Sequence, residues 1–264
     1  MHNRARSRSI VKGEIVLSSQ RKQKILEMLA RDKQVLSREL SQHFAISEDS
    51  IRRDLRELAA DGLLQRVHGG ALAVSAAIAP FEVRKSVNIH AKRVIAQKAV
   101  NLIQPGNIVI IDGGTTSEEM ITLLPPDLAF TVVTHSPTIA AGLINLPNVD
   151  VIVIGGQLYK HSMVTVGASM IESIRRINAD LFFMGVTGVH EQAGFTTGNY
   201  EEACVKRALS ERAAETVVLA SPEKINSASA FGIGDLTLAS TLLVDEPLDE
   251  KMSALFQQLQ ISVL

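Results

Sequence analysis

The sequence of 264 residues contains no tryptophan, one cysteine and only 4% aromatic residues. So few aromatic side chains argue against a surface that stacks the bases of single-stranded nucleic acid. Because Cys204 has no second cysteine to pair with, an internal disulfide is excluded, which fits a reducing compartment. No apolar run reaches the roughly 20 residues of a membrane helix, and the basic N-terminus lacks the apolar stretch of a signal peptide. These absences predict a cytoplasmic protein without a membrane partner.

Charge is unevenly distributed along the chain, although the formal net charge is only -1. Residues 1–72 carry 14 Lys and Arg against 9 Asp and Glu, whereas residues 73–264 carry 13 against 19. With 46% hydrophobic and 21% charged residues, the composition is that of a globular protein, long enough for a small domain and a larger one. A basic first part and an acidic second part predict that only the first attracts a phosphate backbone.

A helix-turn-helix is predicted over about residues 36–56. Ser37 is expected to cap the first helix and Ser47 the second. Glu48 and Asp49 then fall in the first turn of the second helix, where acidic side chains suit the helix dipole. A short turn between two such helices is the geometry with which a second helix enters the major groove of DNA.

The second helix is predicted to have one buried and one outward face. Ile51 and Leu55 recur at the spacing of a core-facing stripe, so Ser50, Arg52 and Arg53 lie on or beside the opposite face. Arginine is the natural partner of guanine in the major groove. The three outward residues are therefore candidates for contacts with base edges or phosphates.

A two-stranded wing is predicted after Gly62, which ends the second helix in a left-handed conformation. Arg66 lies in the first short strand, and the glycines after His68 permit a tight hairpin. Arg66 and His68 would place the wing on the flanking DNA backbone or in the minor groove, while Ser37 and Ser47 are expected to bind phosphates or serve as caps. A charged face on a small helical domain would explain each feature singly, but their combination favours DNA binding.

Beyond the wing, apolar runs alternate with helical segments, which predicts an α/β domain. Buried strands are expected over residues 108–111, 130–133, 151–154, 181–184, 217–220 and 242–244. A βαβ series of this kind implies a Rossmann-like, mostly parallel sheet covered on both faces by helices. Ligands of such sheets bind beyond the carboxyl ends of the strands.

Glycine, hydroxyl and charged residues are concentrated after these strands. Residues 112–116, Asp-Gly-Gly-Thr-Thr, form a strand-to-helix turn whose backbone N–H groups and helix N-terminus suit an anion. A plain turn with a threonine cap would have the same sequence. Glu202 and Lys206, four apart on a helix, are typical either of a surface ion pair or of ligand contacts, and Lys224 leaves the same alternatives open.

Two motifs carry a resemblance to a known family. Residues 51–55, Ile-Arg-Arg-Asp-Leu, and residues 66–71, Arg-Val-His-Gly-Gly-Ala, make residues 19–71 resemble the winged helix-turn-helix of the DeoR family of bacterial transcriptional regulators. Residues 80–245 resemble the effector domain of that family, which is similar in fold to ribose-5-phosphate isomerases and binds phosphorylated sugars. The resemblance implies a repressor of carbohydrate metabolism at the nucleoid, a dimer or tetramer of identical chains whose hold on a double-stranded DNA operator is controlled by a phosphorylated sugar.

The strand ends and the resemblance together give the candidate effector-binding residues. They are Asp112, Gly114, Thr115, Thr116, His135, Ser136, Gly156, Gly188, Glu202, Lys206 and Lys224. The sequence departs from the family twice, since the family commonly has Asn at His135 and Asp at Ser221. Because both positions lie near the inferred site, the identity of the sugar and the charge it carries stay open.

A sugar-phosphate isomerase with an attached DNA-binding domain is the alternative function. Proton transfer in such an enzyme needs a positioned carboxylate or similar base, yet residues 185–190 contain neither Asp nor Glu, where the isomerases carry acidic residues. The seven histidines show no metal-ligand spacing. We therefore expect no catalytic residues, no metal and no cofactor other than the small-molecule effector.

Domain boundaries follow from these patterns. Residues 1–16 are polar and basic without periodicity, which predicts a disordered or wrongly assigned extension. Residues 17–72 are expected to form the DNA-binding domain and residues 91–264 the effector-binding and oligomerisation domain. Residues 73–90 begin with small apolar residues and are expected to link the two.

Overall fold

The computed structural model of the protein describes residues 17–264, except for the side chain of Ala76. Within these residues the chain forms two compact units, which divide between Ala73 and Val74. The extension predicted over residues 1–16 lies outside the described residues. Over the described part of the chain, no helix has both the length and the apolar character needed to pass through a membrane.

The first unit consists of three helices and a small antiparallel sheet. Its elements are α1 (Ser18–Asp32), β1 (Gln34–Leu36), α2 (Ser37–Phe44), α3 (Glu48–Ala60), β2 (Gln65–Val67) and β3 (Gly70–Leu72). All three helices contribute to one apolar core, in which Ile25, Leu40, Ile51 and Leu55 are 1% exposed or less. The predicted helix-turn-helix is α2 and α3, and the predicted wing is β2 and β3.

The two predicted helix caps have different outcomes. The Oγ atom of Ser47 accepts a hydrogen bond from the backbone N–H of Ser50 at 3.3 Å, so the cap of α3 is confirmed. The cap predicted at Ser37 is wrong, because α2 begins at Ser37 itself and Leu36 occupies the cap position without a side-chain bond. Ser37 is buried instead, and its backbone N–H donates to the carbonyl of Gly69 at 2.8 Å. This bond ties α2 to the tip of the wing.

The wing has three strands rather than the predicted two, in the order β1-β3-β2. Val35 of β1 lies opposite Ala71 of β3. A Cβ atom at Gly70 would lie 2.0 Å from the carbonyl oxygen of Val35, so β1 and β3 can pair here only because the residue is glycine.

The second unit is an α/β domain. Its helices are α4 (Phe81–Lys85), α5 (Ile89–Val100), α6 (Thr115–Thr122), α7 (Pro137–Gly142), α8 (Ala168–Ile174), α9 (Tyr200–Ser210) and α10 (Glu250–Gln258). Its strands are β4 (Ile108–Ile111), β5 (Phe130–Thr134), β6 (Val149–Val153), β7 (Gln157–Tyr159), β8 (Val164–Val166), β9 (Ala179–Gly185), β10 (Gly188–His190), β11 (Gly194–Thr197), β12 (Ala213–Leu219), β13 (Phe231–Gly234), β14 (Thr241–Leu243) and β15 (Ser262–Val263).

A seven-stranded parallel sheet organises this unit. Its strand order is β15-β14-β12-β9-β4-β5-β6, and each of the six apolar runs predicted as strands lies in it. Alternate residues of β9 enter different cores: Phe182 packs with α8, α9 and α10 on one face, and Phe183 with α5, α6 and α7 on the other. Both are fully buried, as expected for a sheet that helices cover on both sides. A three-stranded antiparallel sheet, β10-β11-β13, and the hairpin β7–β8 complete the unit.

Of the segment expected to link the domains, residues 73–90, all but Ala73 belongs to the second unit. It contains a 3-10 turn at Ala76–Ile78 and the helix α4. Phe81 is only 2% exposed, and its backbone N–H donates to the carbonyl of His161 at 3.0 Å. The small residues that suggested a linker allow close packing instead, since Ser75 and Ala77 are both buried.

Candidate functional sites

The outer face of α3 carries two exposed arginines. The side chain of Arg52 is 57% exposed and that of Arg53 is 76% exposed. Each is paired on its own helix: Arg52 Nη2 lies 2.9 Å from Glu48 Oε2, and Arg53 Nε lies 3.2 Å from Glu57 Oε1. Pairs as exposed as these contribute little to stability, so the arginines can exchange their carboxylate partners for DNA.

A cleft separates α3 from the wing and brings some of the predicted DNA-binding residues together. Arg52, Arg66 and His68 line it, and the buried Ser37 lies among them. Arg53 lies outside the cleft, as do the exposed Ser47 and the half-buried Ser50, whose hydroxyl groups are 3.0 Å apart. Four of the seven residues predicted for DNA therefore line the cleft, and of these seven only Ser37 is buried.

Asp54, in the middle of the motif at residues 51–55, has a structural role that the sequence did not reveal. Its carboxylate is buried and accepts a hydrogen bond from Arg21 Nε at 2.6 Å. The Ser18 hydroxyl donates to the same carboxylate at 3.2 Å. The motif thus combines two outward arginines with an acid that fastens α3 to the start of α1.

In the second unit a polar cavity lies at the carboxyl ends of the central strands. Residues that follow β4, β9 and β12 meet there with residues of α5, α9 and the segment before α5. The lining residues are Ala77, Arg84, Val87, Lys92, Gly113, Gly114, Thr115, Thr116, Ser117, Ser162, Gly185, Val186, Thr187, Thr197, Glu202, Lys206, Leu219, Glu223 and Lys224. This is the edge of the sheet at which parallel α/β domains bind ligands.

The cavity gathers four cationic side chains, which are Arg84, Lys92, Lys206 and Lys224. Burial lowers the pKa of Arg84 and of Lys92, and it lowers the pKa of Lys224 to about 8. Among the described residues, only Lys206 of the four forms an ion pair. The half-buried Arg84 and the buried Lys92 and Lys224 form no ion pair within the described part of the chain. Four cations against the two carboxylates of Glu202 and Glu223 leave the lining with an excess of positive charge.

A charged network lies directly beneath the cavity. The carboxylate of Asp112 accepts hydrogen bonds from Lys206 Nζ, from the backbone N–H of Gly185 at 2.9 Å and from His135 Nε2 at 2.8 Å. The other ring nitrogen of His135 lies 2.8 Å from the carbonyl of Thr165. Both ring nitrogens of His135 therefore have a polar partner, which holds the buried ring in a fixed orientation beside Asp112.

The network fixes the charge of Asp112. Burial alone would raise the pKa of Asp112, but the charge of Lys206 and the hydrogen bond from His135 outweigh it and lower the pKa to about 2. For Lys206 burial acts in the opposite sense, yet the charges of Asp112 and Glu202 raise its pKa above the ordinary value. Asp112 therefore stays ionised, and its negative charge compensates the positive charge of Lys206.

Three polar atoms facing this region have no hydrogen-bond partner among the described residues. They are Arg84 Nε, Thr116 Oγ1 and Ser117 Oγ, and all three residues line the cavity. Thr116 and Ser117 lie in the first turn of α6, where backbone N–H groups are also free to bind an anion. Buried polar atoms are normally paired, so these three atoms are available to bind water or a polar ligand in the cavity.

Six of the eleven predicted effector residues line the cavity, and these are Gly114, Thr115, Thr116, Glu202, Lys206 and Lys224. Asp112 and His135 lie beneath it as the network described above. Ser136 is buried and donates its hydroxyl to the Met163 carbonyl at 3.0 Å. Gly156 and Gly188 are needed for close packing, because a Cβ atom would lie 2.7 Å from Val166 O at the first and 2.5 Å from Ser227 O at the second.

Other lining residues were absent from the prediction. Arg84 and Lys92 precede the first strand of the sheet, and only tertiary packing brings them to its carboxyl edge. At Ser221, where the family commonly has Asp, a neighbouring residue supplies the carboxylate. The fully buried Ser221 donates its hydroxyl to Glu223 Oε1 at 2.6 Å, and Glu223 lines the cavity. A carboxylate is therefore present at the end of β12, two residues later than the family pattern predicts.

The comparison with known families matches both units. Residues 21–77 match the DeoR-like helix-turn-helix domain, and residues 87–246 match the DeoR C terminal sensor domain. The chain belongs to the DeoR family of transcriptional regulators. As a DeoR-family member it is a DNA-binding regulator rather than an enzyme, and the isomerase alternative is set aside.

Curated DeoR-family relatives are similar over most of their length. The HTH-type transcriptional regulator GlpR of Haloferax volcanii is 33% identical over 89% of this chain and 92% of its own. The glycerol-3-phosphate regulon repressor of Escherichia coli (strain K12) is 28% identical over 87% of this chain and 91% of its own. The L-fucose operon activator of Haemophilus influenzae is 32% identical over 83% of this chain and 89% of its own.

Among solved structures, ribose 5-phosphate isomerase A from Methanocaldococcus jannaschii superposes on 52% of this chain and 55% of its own, with a TM-score of 0.39 and 17% identity. A similarity this low says nothing about activity. The assignment to the DeoR family depends on the two matched domains and the curated relatives.

Proposed function

We propose that this DeoR-family regulator binds operator DNA through α3 and the wing, and that a phosphorylated sugar in the cavity of the second unit controls that binding. The observation that carries the proposal is the set of buried cations and unpaired polar atoms at the carboxyl edge of the sheet. The regulated genes then belong to carbohydrate metabolism, as the names of the glycerol-3-phosphate and L-fucose relatives say of those proteins.

A phosphate group supplies what the cavity lacks. Its negative charge compensates Arg84, Lys92 and Lys224, and its oxygens accept hydrogen bonds from Arg84 Nε and from the hydroxyls of Thr116 and Ser117. Bonds between a cation and a phosphate are about twice as strong as neutral ones. A phosphate is therefore favoured over a neutral ligand.

A sugar accounts for the remaining lining residues. The carboxylates of Glu202 and Glu223 are acceptors for sugar hydroxyls, and the hydroxyls of Ser162, Thr187 and Thr197 are further donors and acceptors. In the absence of a ligand, Ser162 and Thr197 donate to Glu202 at 3.2 and 3.3 Å. A ligand hydroxyl can replace these bonds without leaving the carboxylate unsatisfied.

On the DNA side, Ser50, Arg52 and Arg53 contact base edges or phosphates, and Arg66 and His68 contact the flanking backbone. One helix-turn-helix reads one half-site, so two chains are needed for a symmetric operator. The exposed apolar side chains near the open edge strand β6, Ile144, Ile152 and Val153, which are 80%, 51% and 54% exposed, support self-association. The regulator is a homo-oligomer, a dimer or tetramer, that represses genes at the nucleoid until the sugar phosphate releases it.

A thermal-shift screen of the full chain tests the effector. The panel is glycerol 3-phosphate, ribose 5-phosphate and fructose 6-phosphate, with glycerol, ribose, fructose and inorganic phosphate as controls. A compound that binds only the folded protein stabilises it by about 2.7 kcal/mol at 100 times its Kd. We expect a phosphorylated compound to raise the Tm and its unphosphorylated form to leave it unchanged.

Variants connect that binding to the cavity. Lys92→Met and Thr116→Ala should abolish the ligand-induced Tm shift and the ligand response in DNA-binding anisotropy, while DNA binding without ligand is retained. Lys160→Met, at an exposed lysine outside the cavity, is the matched control and should respond like the natural sequence. A full ligand response in Lys92→Met would overturn the assignment of the cavity.

A further inference from the structure

One wall of the cavity comes from residues 75–88, here termed the strap. Ala77, Arg84 and Val87 of the strap line the cavity opposite the strand ends. The strap begins three residues after Leu72, the last residue of the wing strand β3. Any displacement of this wall therefore acts on the chain just after the wing.

The cavity does not enclose a phosphorylated sugar as it stands. Within a cleft of about 560 Å³ that includes open solvent, the space that water-sized molecules can occupy is about 30 Å³, room for about two or three water molecules. Pockets that bind small molecules usually measure roughly 300–1,000 Å³. A wall must move before a sugar phosphate is enclosed.

The strand ends and α9 are poorly suited to move. β4, β9 and β12 are neighbours in the middle of the seven-stranded sheet, with apolar cores on both faces. Lys206 of α9 is fastened to Asp112 at the end of β4 by a buried ion pair. Elements with this much buried surface open only at a cost near that of global unfolding.

The strap is held by a few local contacts. Phe81 is its large buried side chain, and the Phe81 backbone N–H donates to the carbonyl of His161 at 3.0 Å. Ile78 is 37% exposed and Val83 is 55% exposed. A segment with so few buried apolar side chains is the part of the wall that opens most readily.

Both ends of the strap are attached to Glu223. The Ser75 hydroxyl donates to the Glu223 carbonyl at 3.1 Å, and Asn88 Nδ2 donates to Glu223 Oε2 at 2.6 Å. The same carboxylate lines the cavity. A ligand hydroxyl that donates a hydrogen bond to the Glu223 carboxylate therefore competes with the amide of Asn88 for the same carboxylate.

We propose that the strap is the moving wall of the effector cavity and that the bond between Asn88 and Glu223 is the latch that holds it closed. The inference rests on the proposed function, namely that the cavity binds a phosphorylated sugar. Ligand binding releases Asn88, the strap moves outward to make room, and the displacement passes along the chain through Ser75 into β3 of the wing. The strap thereby couples the cavity to the DNA-binding unit.

A reversible lock tests the movement. A Cβ atom added at Gly198 would lie 3.3 Å from Ile78 Cγ1, which places sulfur atoms at these two positions within reach of a disulfide. The variant is Ile78→Cys with Gly198→Cys in a Cys204→Ser background, because Cys204 is the single native cysteine. The full chain is assayed oxidised and after reduction with dithiothreitol, with the sugar phosphate that gives the largest Tm shift among the three panel compounds.

The oxidised protein should bind that sugar phosphate at least ten-fold more weakly than the reduced protein, and it should bind DNA equally with and without the sugar phosphate. Reduction should restore both responses. An oxidised protein whose DNA binding still responds fully refutes the strap while the proposed function stands. A reduced protein that binds none of the three sugar phosphates refutes the proposed function and the strap with it.

The latch has its own test, which does not depend on disulfide formation. Asn88 has a left-handed backbone with φ of 48°, so Asn88→Gly removes the amide without strain. Asn226 is the matched control, since its φ is 55° and its amide donates to Asp249 Oδ2 at 3.1 Å, outside the cavity. We expect Asn88→Gly to bind the sugar phosphate several-fold more tightly, because the closed state is less favoured, and Asn226→Gly to bind it unchanged. Unchanged or weaker binding in Asn88→Gly refutes the latch.

Discussion

Replacement of Asp112 by Asn tests the charged network beneath the cavity. The substitution keeps the size of the side chain and removes the charge that faces Lys206 Nζ and His135 Nε2. Lys206 then retains only the more distant Glu202, whose Oε1 lies 3.7 Å away. A buried cation without a full partner destabilises the folded state, and breaking such a pair typically costs about 3–5 kcal/mol.

Thermal and urea unfolding measure this loss. For a domain of 150–250 residues, 1 kcal/mol corresponds to a Tm change of about 2–4 °C, so Asp112→Asn should lower the Tm of the second unit by roughly 6–20 °C. In urea the midpoint should fall while the slope m stays unchanged, because the surface exposed on unfolding is the same.

The lowered pKa of Asp112 determines how the stability of the folded protein depends on pH. The pKa of Asp112 is about 2 in the folded protein against an ordinary value of 3.8, so its contribution to stability is present above about pH 4 and is lost as the pH falls to 2. A shift of this size corresponds to about 2 kcal/mol. Because Asn does not titrate, the Asp112→Asn variant should lose about 2 kcal/mol less stability than the natural protein between pH 4 and pH 2.

Two further variants make the test decisive. Glu172→Gln breaks the exposed pair with Arg175, at 3.1 Å with side chains 62% and 72% exposed, and should change stability by less than about 1 kcal/mol. Lys206→Met added to Asp112→Asn removes the orphaned cation and should recover at least about 1 kcal/mol of the loss. A cost under about 1 kcal/mol for Asp112→Asn, or a double variant less stable than Asp112→Asn alone, would refute the account of a buried charge pair.

Three other predictions concern DNA, the wing and pH. Arg52→Ala with Arg53→Ala should weaken DNA binding and reduce the slope of log affinity against log salt by up to about 2, since each phosphate contact contributes about 0.9; an unchanged slope would mean that α3 faces elsewhere. Gly70→Ala should destabilise the first unit by about 2 kcal/mol or more in urea unfolding, because its Cβ atom would meet the Val35 carbonyl; a stable variant would show that β1 can shift. The pKa of Lys224, lowered by burial to about 8, predicts that sugar-phosphate affinity falls between pH 7 and 9 as its charge is lost, and that Lys224→Met removes this dependence in titration calorimetry. The same lowered pKa destabilises the fold below pH 8, and this cost should disappear as the pH rises toward 10.5.

The sheet could be predicted from the sequence because its strands are buried on both faces. Runs such as residues 181–184 are continuously apolar and are separated by helical segments, a pattern that few other folds produce. The short strands β10, β11 and β13 gave no such signal, since they are three or four residues long and include glycines. Their pairing depends on tertiary contacts that local sequence does not specify.

The candidate cavity was predictable where its residues follow strands or, as for Glu202 and Lys206 on α9, where the family resemblance pointed to them. Gly114, Thr115 and Thr116 were found for that reason, whereas Arg84 of the strap and Lys92 of α5 reach the cavity because these segments fold against the sheet. Asp112 and His135 were placed in the site by position, but both are buried below it, where Asp112 pairs with Lys206 and with His135. Sequence position indicates which edge of the sheet a residue reaches, while burial decides whether it can contact a ligand.

The ion pairs on α3 have a consequence for the time that the regulator spends at DNA sequences other than its operator. Arg52 and Arg53 lie beside Glu48 and Glu57, so each contact with DNA exchanges an existing carboxylate for a new partner. At an arbitrary sequence the exchange gains little, because these acids also repel the phosphates. If the two arginines read the operator as proposed, two-point bonds to guanine would make the exchange favourable there. The acids would then shorten the time spent on wrong sites, so that fewer copies of the protein are sequestered before the operator is found.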